Sequence, residues 1–188
     1  MEWFVPVLIA VAVVVVAGVY LWASYRSLAA LEARVQEQWE VVEAALARRA
    51  ELVPQAIDAV RAHADHEKAV FENASRARGE VLAASGPTAA GAADQHLQAS
   101  VASLMAVAEG YPALQSDTGF LALSRELVDA ENDVQSARRS YNGGAREVNV
   151  KIRHFPARMF AGGVGASERE FFEAPHASAV RQPPRVQF

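Results

Sequence analysis

The sequence predicts an all-α protein, with one N-terminal transmembrane helix followed by an antiparallel four-helix bundle. A charge-free apolar stretch near the N-terminus is long enough to cross a bilayer. Apolar residues then recur at three- and four-residue steps in four further segments, which is the spacing of amphipathic helices. No segment alternates polar and apolar residues as a strand does, and four amphipathic helices of similar length most simply pack as an antiparallel bundle.

Charge and cysteine content restrict the classes of protein to which this chain can belong. Its 188 residues suffice for an anchor, one domain of ordinary size and a tail. A formal net charge of -4 argues against nucleic acid as a partner, because binding to phosphates usually needs a basic face. The absence of cysteine excludes disulfides, thiolate metal sites, iron–sulfur clusters and thiol catalysis. We therefore expect no nucleic-acid partner.

Residues 1–25 are predicted to form the transmembrane anchor. The stretch from Trp3 to Ala23 has no charge and would be about 30 Å long as a helix, which matches the hydrocarbon core of a bilayer. Aromatic rings at both ends, among them Trp3 and Trp22, suit the headgroup layer. A cleaved signal peptide is the alternative, but no Lys or Arg precedes the apolar run, which is also longer than such peptides use.

The charges that flank the anchor predict its orientation. Arg26 and Arg34 follow the apolar stretch closely, whereas only Glu2 and the terminal amine precede it. Loops on the cytoplasmic side carry an excess of Lys and Arg. We therefore expect a single-pass protein with its N-terminus outside and the bulk of the chain in the cytoplasm.

Residues 26–155 are predicted to form the helical domain, and the first two helices follow from their apolar stripes. The first helix, with Leu28 to Leu46 on its stripe, should continue directly from the membrane span. Pro54 has no N–H to donate, so we expect a turn just before it and a second helix after it. That second helix should end at the stretch SGPTAAGAA, which begins at Ser85 and is predicted to be a loop.

The second half of the domain contains two more stripes and an uncertain end. The third helix is predicted around Leu97 to Ala108, and the stretch from Gly110 to Gly119 should break the chain before the fourth helix. Whether the fourth helix continues past Gly143 and Gly144 stays open, because each glycine costs about 1 kcal/mol in a helix interior. Residues 156–188 are rich in Gly, Ser and Pro, and we expect a loosely ordered tail.

Four charged residues fall on the apolar stripes of the second and fourth helices. These are Glu67, Arg78, Glu131 and Arg138. Because an unpaired buried charge costs several kcal/mol, we expect ion pairs between helices, formed through Arg138. An antiparallel bundle would also bring Arg48 or Arg49 near Glu109 at the end away from the membrane, beside Pro54 and Pro112. The residues at that end either fix the helix register or dock a protein partner.

A basic amphipathic segment is predicted near the end of the fourth helix. Between residues 146 and 160 the apolar positions step by three and four, and the basic residues lie off that stripe. Such a segment can rest on anionic lipid. The alternative is that it forms the last turns of a bundle helix. The residues that would touch the membrane surface are Arg146, Lys151, Ile152, Arg153, Phe155 and Arg158.

Catalytic and metal-binding patterns are weak in this sequence. His63, His66 and Glu67 have the spacing of one helical face, but Val70 stands where the zinc-protease pattern H-E-x-x-H needs its second histidine. Serine nucleophile motifs and phosphate-binding glycine loops are also missing. We therefore expect no catalytic residue, no metal site and no cofactor, and the chain is predicted not to be an enzyme.

A series of short motifs resembles the LemA family. In order, they are Trp39, RRAELVP from Arg48, HE at His66, AR at Ala77, EGYP from Glu109, EN at Glu131, AR at Ala137, YN at Tyr141, Asn149, FP at Phe155 and FFE from Phe171. The family normally has an aromatic residue at the position of Val148 and often Asn at that of Gln55. The resemblance implies a bacterial inner-membrane protein with an N-terminal span, a cytoplasmic four-helix bundle and no established catalytic activity.

Resemblance and charge pattern together define a predicted structural and interaction network. Its members are Arg49, Pro54, Glu67, Arg78, Glu109, Tyr111, Pro112, Glu131, Asn132, Arg138, Tyr141 and Asn142.

Three functions are compatible with the sequence. The first is a membrane-anchored, non-enzymatic scaffold or adaptor that presents its bundle to protein partners. The second is an oligomeric assembly that remodels the membrane or responds to envelope stress, and the weakest is a metal-dependent enzyme using His63, His66 and Glu67. The expected partners are membrane lipids, proteins not identified by the sequence and other copies of the chain.

Overall fold

The computed structural model describes residues 3–64 and 66–173, and all regular structure in those residues is helical. The α-helices are α1 (Phe4–Arg61), α2 (Lys68–Ala83), α3 (Pro87–Glu109), α4 (Pro112–Gln115) and α5 (Thr118–Lys151). Two short 3-10 helices, Ala157–Met159 and Ala161–Val164, follow α5. The predicted all-α class and the long apolar helix at the N-terminus are confirmed.

Helix α1 continues through Pro54, so the predicted turn before this residue is wrong. The helix ends at Arg61, which places Ile57 and Val60 in α1 rather than in a second helix. Pro54 removes the N–H that would bond to the carbonyl of Ala50. The side chain of Arg78 in α2 compensates, because its Nε donates to the Ala50 carbonyl at 3.0 Å. The chain instead turns after Arg61, at residues 62–64 and 66–67.

The loop predicted at SGPTAAGAA is much shorter than expected. Helix α3 begins at Pro87, and most of this stretch forms its first turns. Proline is tolerated in the first turn because the N–H that it lacks would have no helical partner there, and the alanines that follow have the highest helix propensity. Gly86 precedes α3 with a φ of 82°, a conformation that favours glycine.

The break predicted between Gly110 and Gly119 is present and contains the short helix α4. Helix α5 begins at Thr118, where the Asp117 carboxylate accepts a hydrogen bond from the N–H of Phe120 at 2.7 Å. This is the pattern of a helix N-cap, which satisfies one of the first unpaired N–H groups.

Gly143 and Gly144 do not interrupt α5, which continues to Lys151. A Cβ at Gly144 would lie 2.8 Å from Cγ2 of Val35 and in contact with Oε1 of Gln38. A glycine at this position therefore lets α5 approach α1 more closely than any larger residue would. The packing that this approach allows offsets the low helix propensity of the glycines.

The chain divides into two compact units. Within the described residues, the first consists of residues 3–38 and 142–169, and the second of residues 39–64, 66–141 and 170–173. In the first unit the side chains from Pro6 to Ala23 are exposed, whereas Leu28, Val35 and Val148 are buried. Among the described residues, one helix is long and apolar enough to cross a membrane, and its apolar stretch is not buried in the protein.

The core of the second unit is formed by apolar side chains from α1, α2, α3 and α5. Its fully buried members include Val42, Val53, Val60, Leu97, Leu104 and Val134. Phe172, from the chain after the 3-10 helices, is also buried in this unit, where its ring lies 6.3 Å from that of Trp39.

Residues 156–173, the described part of the predicted tail, make specific contacts. Within the first unit the Asn149 side-chain amide donates to the carbonyl of Arg169 at 2.9 Å and accepts from its N–H at 2.7 Å. The Arg169 guanidinium also donates from Nε to Glu32 at 2.9 Å. These polar contacts order a segment whose Gly and Ser content indicated a loose tail. Residues 174–188 of that prediction lie outside the described residues.

Candidate functional site

A buried ion cluster joins three helices of the second unit. Arg49 on α1 is 2% exposed and donates from Nη2 to the Asp94 carboxylate on α3 at 2.6 Å. Its Nη1 forms an ion pair with Glu131 on α5. The amides of Gln98 and Gln135 donate to the other oxygen of Glu131 at 3.0 and 2.8 Å. The arrangement fixes the register of α1, α3 and α5 in this unit.

One guanidinium in this cluster serves two carboxylates. Burial raises the pKa of the Asp94 carboxyl, and the negative charge of Glu131 acts in the same direction, while Arg49 and Arg138 oppose the shift. Among the residues described, the Nε of Arg49 has no hydrogen-bond partner although it is buried. Such a cluster is costly to disrupt, because removing the cation leaves two carboxylates uncompensated.

A partly open apolar groove lies beside the ion cluster. Its volume is about 330 Å³, and its walls come from α3 and α5. Arg49, Glu131 and Asn132 contribute to the lining, together with Gln98, Val101, Ala102, Met105, Ser124, Leu127 and Val128. Val128 is exposed on the rim. The groove can therefore accept an apolar group next to buried charges.

An aromatic cluster lies elsewhere in the second unit and involves the predicted Tyr141. Its ring lies 5.2 Å from that of Trp39. The Tyr141 hydroxyl donates to the carbonyl of Glu170 at 2.8 Å, and the Glu170 carboxylate accepts from Thr88 at 2.8 Å. The cluster holds the chain beside Phe172 against the helices. Asn142, the next residue of α5, is half-buried in the first unit.

The predicted proximity of Arg48 or Arg49 to Glu109 is wrong. Arg49 bonds to Asp94 and Glu131, and Arg48 forms an exposed ion pair with Asp133 at 2.8 Å. A helix ending before Pro54 would have placed these arginines at the end of the bundle. Because α1 continues to Arg61, Arg49 lies about 18 Å from that end at 1.5 Å per residue.

The remaining members of the predicted network are dispersed. Glu67 is exposed and precedes α2, and Glu109 is exposed at the end of α3. Tyr111 precedes α4 and is half-buried, and Pro112 is the first residue of that helix. Arg138 is half-buried, but Glu131 has Arg49 rather than Arg138 as its ion-pair partner.

Asp94 is a central residue that the sequence reasoning missed. It precedes Leu97, Val101 and Leu104 at steps of three, seven and ten, so it lies on the same stripe of α3. A charged residue on an apolar stripe was the signal that identified Glu131, and applied to α3 it would have identified Asp94. The residue of α1 that pairs with Asp94 depends on how α1 and α3 align. The apolar pattern of one helix does not reveal that alignment.

Residues 146–160 do not form the single amphipathic helix that the sequence predicts. Arg146 and Lys151 belong to the last turns of α5, in agreement with the alternative reading, but the helix ends at Lys151. Pro156 lacks the N–H that a continuing helix needs. Phe155 is 74% exposed, Ile152 is half-buried, and Arg153 donates to Glu168 at 3.0 Å. Arg158 lies in the first 3-10 helix and is exposed. Contact with lipid stays a prediction.

The histidines considered as metal ligands lie in the turn between α1 and α2. His63 and His66 are both exposed. Within residues 3–64 and 66–173, no three His, Asp or Glu side chains are grouped closely enough to hold a metal ion.

Comparison with known proteins gives one extensive match and two partial ones. The profile of the LemA family matches residues 38–188. Magnetosome proteins MamQ 1 and MamQ 2 of Paramagnetospirillum magneticum are each 33% identical to this chain over 70 residues. The aligned part covers 37% of this chain and 26% of each relative. The chain thus spans about a quarter of the length of these curated relatives.

Proposed function

The chain belongs to the LemA family, and from this we propose that it is a membrane-anchored, non-enzymatic scaffold whose second unit binds a protein partner. The observation that carries the proposal is the exposed apolar helix from Pro6 to Ala23. Exposed apolar surface of this length is unfavourable in water and favourable in hydrocarbon. The helix therefore anchors the chain in a bilayer, and the bacterial inner membrane is the membrane that we propose.

We place the partner's binding site at the groove between α3 and α5. Its apolar walls would bury a partner's aliphatic or aromatic side chain, and the half-buried Glu131 would offer carboxylate oxygens to N–H groups of the adjoining backbone. The exposed Val128 would add to the apolar contact. This site replaces the end of the bundle near Glu109 as the proposed docking surface.

Site-specific photo-cross-linking in native membranes tests this function. A photoreactive residue at Val128 should capture one defined protein, whereas the same residue at the exposed Leu82 on α2 should not. Met105→Arg, which places a charge in the groove, should abolish capture at Val128 without removing the chain from the membrane fraction. Equal capture at both positions would overturn the proposed groove.

The proposed architecture of the second unit is an antiparallel four-helix bundle of α1, α2, α3 and α5. It is supported by the bonds from Arg49 to α3 and α5 and from Arg78 to α1. Spin labels at Asp58 and Ala122 should lie close together, because both would be on the same side of Arg49 and Glu131. Labels at Asp58 and Ser140 should be farther apart, since Ala122 and Ser140 are about 27 Å apart along α5. A parallel arrangement of α1 and α5 reverses this order.

The proposed orientation places the chain that follows the apolar helix in the cytoplasm and the N-terminus outside. It rests on Arg26 and Arg34, which follow the apolar helix. Because the chain has no cysteine, single introduced cysteines report unambiguously. A cysteine at the exposed Ser136 should react with an impermeant maleimide only after cells are permeabilised, whereas a cysteine at Glu2 should react in intact cells. The reverse pattern would overturn the orientation.

An oligomeric assembly that organises the membrane is the second candidate function. It is favoured by the exposed apolar side chains of Phe155 and Met159, which would enter the interface of a bilayer. Electron microscopy of the purified full chain in liposomes distinguishes the two functions. Regular arrays or deformed vesicles would support the assembly, and undeformed vesicles with dispersed particles would support the scaffold.

A further inference from the structure

A wide cleft in the first unit lies directly beyond the apolar helix. It is formed by the turns of α1 that follow the apolar stretch and by the last turns of α5. Its volume is about 760 Å³. The lining residues are Ser27, Ala30, Leu31, Arg34, Arg146, Glu147, Val150, Lys151 and His154.

The cleft has an excess of positive charge that the described residues do not neutralise. Among the described residues that line it, Arg34, Arg146 and Lys151 are cationic, and Glu147 is the one carboxylate. Within the described residues, Arg34 and Arg146 have neither a hydrogen bond nor an ion pair, whereas Arg153 and Arg169 of the same unit are each paired with a glutamate. Lys151 donates to the hydroxyl of Ser27 and keeps its charge unpaired. An anionic ligand would therefore complement the charge of this cleft.

The position of the cleft along α1 indicates which anion is available. Ser27 follows Ala23, the last residue of the apolar stretch, by about 6 Å along the helix axis. The Tyr25 ring lies 5.8 Å from that of Phe160, which brings the chain after α5 to the same level. Tyrosine and tryptophan at the ends of a span mark the headgroup layer. Phosphate groups of lipids are concentrated at this depth.

Exposed apolar side chains beside the cleft suit a lipid better than a soluble anion. Phe155 and Met159 are about three-quarters exposed and follow α5 in the same unit. Val150, which lines the cleft, is also exposed. A free phosphate would make no use of this surface, whereas the glycerol and first methylenes of a phospholipid would cover it.

We propose that this cleft is a binding site for the headgroup of an anionic phospholipid. Arg34 and Arg146 donate hydrogen bonds to the lipid phosphate, and Lys151 adds positive charge. Phe155 and Met159 enter the interface beside the bound lipid. The site would fix the depth and rotation of α1 in the bilayer. This inference rests on the proposed membrane anchor but does not require a protein partner.

Native mass spectrometry of the full chain in a non-ionic detergent tests the site. The chain is titrated with phosphatidylglycerol or with phosphatidylcholine of the same acyl chains. Phosphatidylglycerol should bind with clear preference, and Arg34→Gln with Arg146→Gln should weaken its binding roughly 30-fold, given about 1 kcal/mol for each basic residue. The matched control is Arg76→Gln with Arg125→Gln, which removes two exposed arginines of the second unit and should leave binding unchanged.

A variant that binds the lipid more tightly provides a test that misfolding cannot imitate. Glu147→Gln removes the one carboxylate of the cleft and should strengthen phosphatidylglycerol binding several-fold. Equal binding of the two lipids, or an equal loss in the control pair, would overturn the proposal. Displacement of the lipid by millimolar inorganic phosphate would identify a soluble anion instead. Cell fractionation distinguishes a failure of the proposed membrane anchor from a failure of the lipid site, because a chain without an anchor would be absent from the membrane fraction.

Discussion

Arg78 on α2 donates a hydrogen bond at 3.0 Å to the carbonyl of Ala50 on α1, the group that Pro54 leaves without its helical donor. Ala50 is completely buried, so water does not replace the missing N–H. A side chain from another helix thus completes the hydrogen bonding of α1 at its proline. This explains how α1 continues past Pro54, and why Arg78 lies on an otherwise apolar stripe.

Arg78→Leu should lower the free energy of unfolding by about 1–3 kcal/mol, the cost of an unsatisfied buried carbonyl. The loss should be at least 1 kcal/mol smaller in a Pro54→Ala background, because alanine returns the N–H that bonds to Ala50. Thermal unfolding of the full chain in detergent, followed by circular dichroism as a double-mutant cycle, measures this difference. Additive effects of the two substitutions would contradict the role given to Arg78.

Arg49→Met should be among the most destabilising single substitutions, at about 3–5 kcal/mol, because it leaves Asp94 and Glu131 without their cation. Arg48→Met is the matched control on the same helix. The ion pair of Arg48 with Asp133 is more than half exposed on both sides, so its loss should cost at most about 1 kcal/mol. Unfolding by urea compares the two. Similar losses for both variants would show that burial of the Arg49 cluster is unimportant.

Asp94→Asn should change how stability depends on pH. Because the pKa of the Asp94 carboxyl is raised in the folded chain by burial, the folded state holds this proton more tightly than the unfolded state. The contribution of Asp94 to stability should therefore fall as pH rises from about 4, the ordinary value, through the raised folded value.

A series of unfolding measurements against pH provides the comparison. The free energy of unfolding of the wild-type chain, minus that of Asp94→Asn, should decrease across this window and then become constant. A difference that grows with pH would mean that Arg49 outweighs burial at this carboxyl.

Alanine substitutions at the adjacent residues Gly143 and Gly144 are expected to have opposite effects on stability. Alanine at Gly143 meets no atom within 4 Å and should stabilise the chain by up to about 1 kcal/mol through helix propensity. Alanine at Gly144 would press on Val35 and Gln38 and should destabilise it by about 1–3 kcal/mol. Thermal unfolding of the two variants side by side gives the sign of each effect. A stabilising Gly144→Ala would mean that α1 and α5 separate at this point without cost.

Local patterns predicted much of the fold because they depend on residues close in sequence. The apolar stretch from Trp3 to Ala23, the helical stripes and the break at Gly110 could all be read in this way. The motifs from Trp39 to Phe171 also identified the family that the profile match establishes. For the candidate site, the stripes singled out Glu131 and Arg78 as exceptions, but they did not identify the groups that bind them.

The sequence by itself determined that this chain is helical and has one helix able to cross a bilayer, since periodicity and hydropathy are properties of a single segment. Only the tertiary structure decided that α1 passes through Pro54, because the donor for Ala50 comes from α2. It also decided that Arg49 meets Asp94 and Glu131, and that α5 needs a glycine at position 144. Each depends on the register between helices, which is set by packing across the core.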